Sequence, residues 1–462
     1  MSCLSLLYLR AASLSKCLVH ARMNQSVDGS SFSQQTRLSH LDGVDLAEIA
    51  DRYGTPCYVY SADQARARYE ELDRALSGVE HSICYAVKAN SSLGILQVFA
   101  QLGAGFDIVS GGELLRVIEA GGDVSKVVFS GVGKRTDEID FALKSKIGCF
   151  NVESAAELNR IESRASLLGL RAPISLRVNP EVDAKTHPYI STGLRENKFG
   201  VPVSQAKELY HQANNSAALS VIGIDCHIGS QITELGPFSE ALAKLLELID
   251  ELSAAGINIQ HVDLGGGLGV EYDGTPGMNP AAYGKAIAQG MEGRDLHFLL
   301  EPGRFMVANA GVLLTRVEYL KPAPAPGYKD FAVVDAAMND LIRPALYQAH
   351  HNVVPVDEPD TNALIASWNL VGPVCESGDF LAHNRSLALS EGSLLAVCSA
   401  GAYGMVQASN YNSRTRAAEV LIDKGAHYAI RHRETMADLL GPERAALALQ
   451  HDNTTRTPEA ES

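Results

Sequence analysis

Eight short β-type runs, each followed by a stretch of helical periodicity, constrain this chain more than any other feature. The runs are Ile83–Lys88, Gly105–Val109, Val127–Ser130, Gly148–Val152, Ile174–Asn179, Ile222–His227, His261–Gly265 and Phe298–Glu301. Each is rich in Val, Ile, Leu, Phe or Cys and ends in polar residues or glycine. Between them apolar residues recur at helical spacing, as in Ala155, Leu158, Ile161, Leu167 and in Leu242, Leu245, Leu246, Ile249, Leu252. Ser91, Ser110, Ser154 and Ser204 stand where helix N-caps are needed. Strands that alternate with helices pair in parallel, and eight such units over roughly 240 residues match a (β/α)8 TIM-type barrel. An open doubly wound sheet would favour a GxGxxG after its first strand. Here Lys88-Ala89-Asn90 follows instead.

After Arg304 the pattern changes. Val312–Leu320, Phe331–Asp335, Ala363–Val371, Ser393–Ser399 and Tyr428–His432 read as strands separated by Gly/Pro turns, with few helical stretches between them. The strand-like Thr55–Ser61 precedes the barrel and is expected to join this second unit. The predicted organisation is an N-terminal extension over 1–38, disordered, and a segment 39–62 that contributes to the β domain. The barrel follows over 63–308, then a C-terminal β-rich barrel or sandwich over 309–440, and a flexible tail over 441–462.

Composition narrows the function. Lys and Arg number 39 against 54 Asp and Glu, a net charge of −15, so phosphate-contact binding of nucleic acid is not expected. No apolar run approaches the ~18 residues that span a bilayer. The eight cysteines form no CxxC and no zinc spacing, which fits reduced thiols rather than a disulfide framework or a metal finger. Residues 1–27 lack Asp and Glu and carry Arg10, Lys16 and Arg22. A transit peptide and a start codon placed too early, with Met23 as the true start, are both open readings.

Catalytic groups of a barrel sit at the C-terminal ends of its strands. Here those ends carry Lys88, then His227, then Gly265-Gly266-Gly267, then Glu301 beside Arg304. A lysine desolvated at a strand end is expected to have a lowered pKa, and a neutral amine can form a Schiff base. A glycine run after the seventh strand lets backbone amides approach phosphate oxygens, although a tight turn alone would also use glycine. Glu301 could keep a ring nitrogen protonated, or simply pair with Arg304. His227 could stack on a planar ring, or be a satisfied buried histidine. Taken together, a Schiff-base lysine, a phosphate cradle and a carboxylate for a pyridinium nitrogen specify pyridoxal phosphate.

In order along the chain stand Tyr85-Ala86-Val87-Lys88-Ala89-Asn90, His227-Ile228-Gly229-Ser230-Gln231, Gly265-Gly266-Gly267-Leu268-Gly269, Glu301-Pro302-Gly303-Arg304, Gly372-Pro373-Val374-Cys375-Glu376-Ser377-Gly378-Asp379 and Gly401-Ala402-Tyr403-Gly404. This series resembles the fold-type III pyridoxal-phosphate decarboxylases over about residues 40–435, and within them the branch that acts on diaminopimelate. The resemblance implies an alanine-racemase-like barrel, a C-terminal β domain, and active sites shared across a head-to-tail homodimer. It makes Lys88 the lysine that carries the cofactor, His227 the residue stacked on its ring and Glu301 the partner of its nitrogen. Ser230, Gly265, Gly266, Gly267 and Gly303 would bind phosphate, helped by Tyr403, with Asp107 lining the pocket.

Cys375 and Glu376 would come from the partner subunit, the thiol near the substrate α-carbon and the carboxylate at the distal amine. Arg304, Arg343 and Tyr347 would hold the distal carboxylate, since a guanidinium binds carboxylate bidentately. Tyr403 would stand near the substrate as well. The role of Lys198-Phe199-Gly200, which matches a family loop, stays open. Ala337 stands where the family often has glycine, a strained choice if φ is positive. The implied reaction is decarboxylation of meso-2,6-diaminopimelate to L-lysine and CO2, the last step of lysine synthesis, in the cytoplasm. Ornithine, arginine or carboxynorspermidine decarboxylation is the alternative on the same scaffold. A racemase and an inactive regulatory paralogue are further readings, disfavoured by the Cys375–Glu376 loop and by the presence of Lys88 and Cys375.

Overall fold

The computed structural model describes residues 37–183 and 198–454. Eight parallel strands run in chain order: β1 His81–Ala86, β2 Gly105–Ile108, β3 Val127–Phe129, β4 Cys149–Val152, β5 Ala172–Asn179, β6 Leu219–Asp225, β7 His261–Asp263 and β8 His297–Leu300. Each pairs with the next, and β8 pairs with β1 through Leu300 and Ile83, which closes the barrel. The expected TIM-type barrel is therefore present. Closure buries both faces of every strand, so these runs read as continuous apolar stretches rather than alternating ones.

The expected helix caps hold in part. Ser110 and Ser154 accept from the backbone amides of Glu113 and Glu157, at 3.2 Å each. The other two helices begin elsewhere: at Leu93 with Ser92 as N-cap, and at Val203 with Pro202 as N-cap, so Ser91 and Ser204 do not cap. Both misplacements are a residue or two, the usual uncertainty of a helix end.

The second unit is a sheet in which Gly311–Lys321 is the hub. It pairs antiparallel with Cys57–Ser61, Asp330–Val334 and Leu394–Val397. Cys57–Ser61 pairs in turn, parallel, with Ala418–Asp423. Trp368 is buried at its core, its indole N–H donated to the Leu387 carbonyl at 3.1 Å. Three strands here were not expected, the short Val353–Pro355 among them. Phe380–Leu389 carries His383, Asn384 and Arg385 at its centre, and Ala418–Asp423 opens on the helix formers Ala418 and Glu419 before Val420, Leu421 and Ile422. Ladder pairing outweighs those local preferences.

The expected extension 1–38 lies outside the described residues except for Arg37 and Leu38. Leu38 is buried and its amide bonds the Pro355 carbonyl at 2.9 Å, so ordered structure starts slightly earlier than the sequence suggests. The tail expected from 441 begins inside a helix, Met436–Thr454, where a run of Glu, Arg, Ala and Leu after Pro442 favours helix. Among the described residues no helix is long and apolar enough to cross a membrane.

Candidate active site

Both structural units contribute to one cavity of about 530 Å3. His227, Ser230 and Arg304 reach it from the loops after β6 and β8, and Arg343, Tyr347 and Tyr403 from the second unit. Tyr272, which the sequence did not single out, lies among them. Arg304 donates to the Tyr272 hydroxyl at 2.9 Å and to Ser230 Oγ at 3.1 Å, and its guanidinium lies 4.9 Å from the Tyr403 ring centre. Arg343 sits 4.7 Å over the Tyr272 ring. Burial alone would raise the Tyr272 hydroxyl, but Arg304 and Arg343 hold it below the ordinary tyrosine value. Neither arginine forms a salt bridge with a carboxylate among the described residues. The expected alternative pairing of Glu301 with Arg304 is thus not formed.

His351, also unpredicted, fixes Arg343. Its Nε2 accepts from the guanidinium at 2.9 Å while Nδ1 faces the Cys398 carbonyl at 2.8 Å. A histidine held this way is neutral with its proton on Nδ1. Burial keeps its pKa well below the usual value, and Arg343 depresses it further.

Lys88 lies just past β1, in a short helical turn Val87–Ala89, and its ammonium pairs with Asp107 at the edge of β2. The expected lowering of its pKa is overturned. Burial pushes the amine down, but Asp107, Glu301 and Tyr403 together pull it above the ordinary lysine value. Burial was legible from the sequence; the three neighbours were not. Lys88 in the cofactor-free chain is an ammonium ion.

Glu301 follows β8 and accepts at Oε1 from Ser130 Oγ at 3.2 Å and Asn151 Nδ2 at 3.1 Å. Its carboxyl oxygens lie within 4.8 Å of those of Asp225 and Asp263. Burial first, then Asp107, Asp263 and Asp225, raise its pKa well above the carboxylate range. His227 is neutral, pushed well below its usual pKa by burial and then by Arg177 and Lys88, and its Nδ1 accepts from the Gly266 amide at 3.2 Å.

The glycine run is required by packing before any ligand is considered. A Cβ on Gly266 would stand 2.3 Å from the Glu301 carbonyl oxygen, and one on Gly267 2.5 Å from that of Gly229. Gly265 and Gly267 also have positive φ, 65° and 103°. Gly303 packs on the end of β1 and the turn after it, since a Cβ there would stand 3.0 Å from that of Ala86 and 2.8 Å from that of Ala89. Ala337 is absent from the residues with positive φ and is buried, so alanine is unstrained at that position.

Cys375 and Glu376 do not line the cavity of their own chain. Cys375 is exposed, with its amide donated to Asn412 Oδ1 at 2.8 Å, and Glu376 accepts from the Tyr411 hydroxyl. Lys198-Phe199-Gly200 rests on the β5 end: Arg177 lies 4.8 Å from the Phe199 ring centre, and the Gly200 amide donates to Glu153 at 3.1 Å.

The residues fit pyridoxal phosphate. A primary amine, Lys88, follows β1 beside Asp107, a cluster of three buried carboxyls, Asp225, Asp263 and Glu301, offers a counter-charge for a pyridinium nitrogen, and among the described residues Arg304 Nε is buried without a partner. A barrel with this amine, carboxylate and glycine run defines a pyridoxal-dependent decarboxylase. Residues 62–308 match the family model described as "Pyridoxal-dependent decarboxylase, pyridoxal binding domain". The chain is 57% identical to the diaminopimelate decarboxylase of Pseudomonas aeruginosa over 89% of its own length and 98% of that protein. The Vibrio cholerae enzyme of that name is 53% identical, over 90% of this chain and 97% of the relative. A crystal structure of Helicobacter pylori diaminopimelate decarboxylase complexed with L-lysine superposes with a TM-score of 0.83 at 42% identity, covering 87% of this chain and all of that one. The chain belongs to the diaminopimelate decarboxylase family of pyridoxal-phosphate-dependent lyases.

Proposed function

We propose that this cavity decarboxylates meso-2,6-diaminopimelate to L-lysine and CO2, with Lys88 carrying the cofactor. One observation carries the substrate assignment: two buried guanidiniums, Arg304 and Arg343, converge on Tyr272 with no carboxylate partner among the described residues. A substrate that keeps a second carboxylate after reaction satisfies both. Ornithine has none to offer, and leaving a buried charge unpaired costs about 1–3 kcal/mol or more.

When bound, pyridoxal phosphate supplies a sink for the electron pair that the departing carboxylate leaves behind. Glu301 holds a proton at the ring nitrogen, and Asp107 orients the Lys88 ammonium. His227, neutral and anchored by the Gly266 amide, presents a flat apolar face to the ring. Ser230, Gly265, Gly266, Gly267 and Gly303, with Tyr403, form the phosphate end. Arg304, Arg343 and Tyr347 bind the distal carboxylate, and His351 keeps Arg343 aimed at it. The α-carbon takes up one proton, and the Lys88 ammonium and a thiol are the two groups proposed to supply it.

That thiol is Cys375 of a second copy, in a head-to-tail homodimer where Glu376 meets the distal amine. The support is that both residues stand exposed and away from their own cavity. The reading places the enzyme in the cytoplasm, in keeping with six free cysteines among the described residues. The domain division proposed is a barrel over 63–308 flanked by the two segments, 39–62 and 309–440, that build the β domain.

The substrate test is CO2 release from purified, cofactor-loaded protein supplied with meso-diaminopimelate or with L-ornithine. Release from diaminopimelate is expected, with ornithine at least about 10-fold slower at equal concentration. Faster release from ornithine would move the function to diamine synthesis. The shared site is tested by co-expressing Lys88→Ala with Cys375→Ala, each inactive alone. Half of randomly formed dimers are mixed and hold one intact site of two, so about a quarter of wild-type turnover returns. No recovery would put Cys375 in its own subunit's site.

A further inference from the structure

We infer that Asp263 and Glu301 share one proton in the cofactor-free chain, and that a cationic ring displaces it on binding, so that Asp263 is the positioning residue that sets the charge of Glu301. The inference rests on the reading that Glu301 faces the ring nitrogen. Asp263 follows directly from β7, and its Oδ1 accepts the Gly265 amide at 2.7 Å. Its Oδ2 is buried and meets no N–H or O–H donor among the described residues. Close to it stands the Glu301 carboxyl, one of whose oxygens lies within 4.8 Å. Two carboxyl groups this close in a buried site do not both ionise, so the pair keeps a proton between them.

The surroundings add negative charge faster than positive. Asp107 and Lys88 face the pair from the ends of β2 and β1, and Asp225 from β6. Arg177, the other cation, lies 4.0 Å from Asp225 and is already paired with Glu153 at 3.1 Å. The buried thiols Cys84, Cys149 and Cys226 remain neutral, since burial raises all three. In line with the geometry, burial and then Asp107 push the Asp263 carboxyl up to about 7.

The protons balance in either route. If the ring arrives with a neutral nitrogen, the shared proton moves to that nitrogen and Glu301 becomes its counter-ion. If the ring arrives protonated, the shared proton leaves to solvent. No carbon bond changes.

The test uses pyridoxamine 5′-phosphate, which presents the same ring without an aldehyde for Lys88. It is titrated calorimetrically into cofactor-stripped, full-length protein at about pH 6, in buffers of different ionisation enthalpy, to count protons exchanged per ring bound. Asp263→Asn keeps the shape, and its amide donates to an ionised Glu301, so no proton is left to displace. The variant is expected to release about one proton fewer than wild type. Equal counts overturn the inference. Asp263→Ser, which keeps an acceptor for the Gly265 amide, replaces it if the asparagine variant does not fold. Glu301→Gln separates the two levels. A count altered by Glu301→Gln but not by Asp263→Asn refutes the sharing and leaves Glu301 facing the ring. A count unchanged in both refutes the placement of Glu301 itself.

Discussion

Lys88→Ala abolishes the visible absorbance band of the bound cofactor and lowers CO2 release from meso-diaminopimelate by at least about 10^3-fold. The residue follows β1 by two positions, beside Asp107 and with Glu301 near it, and among the described residues no other lysine pairs with Asp107. Alanine removes both the amine that anchors the cofactor and one of the two groups proposed to return a proton to the α-carbon. It also leaves Asp107 without its cation. Added methylamine is expected to restore a small part of the turnover, because it supplies the missing amine without repairing the chain. Absorbance titration and CO2 measurement on the same preparation check both effects. Near-normal turnover in Lys88→Ala would remove the centre of the assignment.

Glu301→Gln is expected to lower kcat roughly 10^2–10^3-fold while the protein stays folded. The amide oxygen still accepts from Ser130 and Asn151, so the side chain keeps its place. What changes is the group at the ring nitrogen: an acceptor becomes an N–H donor, and a proton on that nitrogen loses its counter-ion. Stability moves the other way. The folded-state pKa of Glu301 is raised above its unfolded value, so its contribution is fully present below the unfolded pKa and is lost as pH rises toward the folded one. Glutamine removes that loss. The cofactor-free variant should therefore gain Tm over wild type at pH 8 and show little difference near pH 4. A Tm deficit at pH 8 with unchanged kcat would contradict the placement of Glu301.

The barrel was legible in the sequence because every strand is buried on both faces and every crossover is a helix, so two periodicities alternate eight times. The strand ends were legible for the same reason: once the strands are counted, Lys88, His227, Gly265 and Glu301 fall at one mouth. What stayed hidden were contacts between distant residues. Tyr272 owes its role to Arg304 and to Arg343, 32 and 71 residues away. His351 and Asp263 look like any buried histidine or turn aspartate until their neighbours are known. The sign of the Lys88 shift was misjudged on the same ground, because burial can be read from a run of apolar residues and a ring of carboxylates cannot. In the β unit, Phe380–Leu389 was missed because His383, Asn384 and Arg385 at its centre vote against strand and only the ladder overrules them.

The strand Cys57–Ser61 sits between Gly311–Lys321 and Ala418–Asp423, with Tyr60 opposite Gly311. About 250 residues of barrel are therefore synthesised between one half of this ladder and the other. During translation the early strand has no partner of its own, and its Cys-Tyr-Val-Tyr sequence is the kind of edge that recruits foreign strands. The barrel can close while its N-terminal neighbour still waits, and the sheet completes only once the last strands are released from the ribosome. Birth order and assembly order thus run in opposite directions in this protein, and a nascent chain halted just after the barrel would carry an open edge that the finished enzyme never displays.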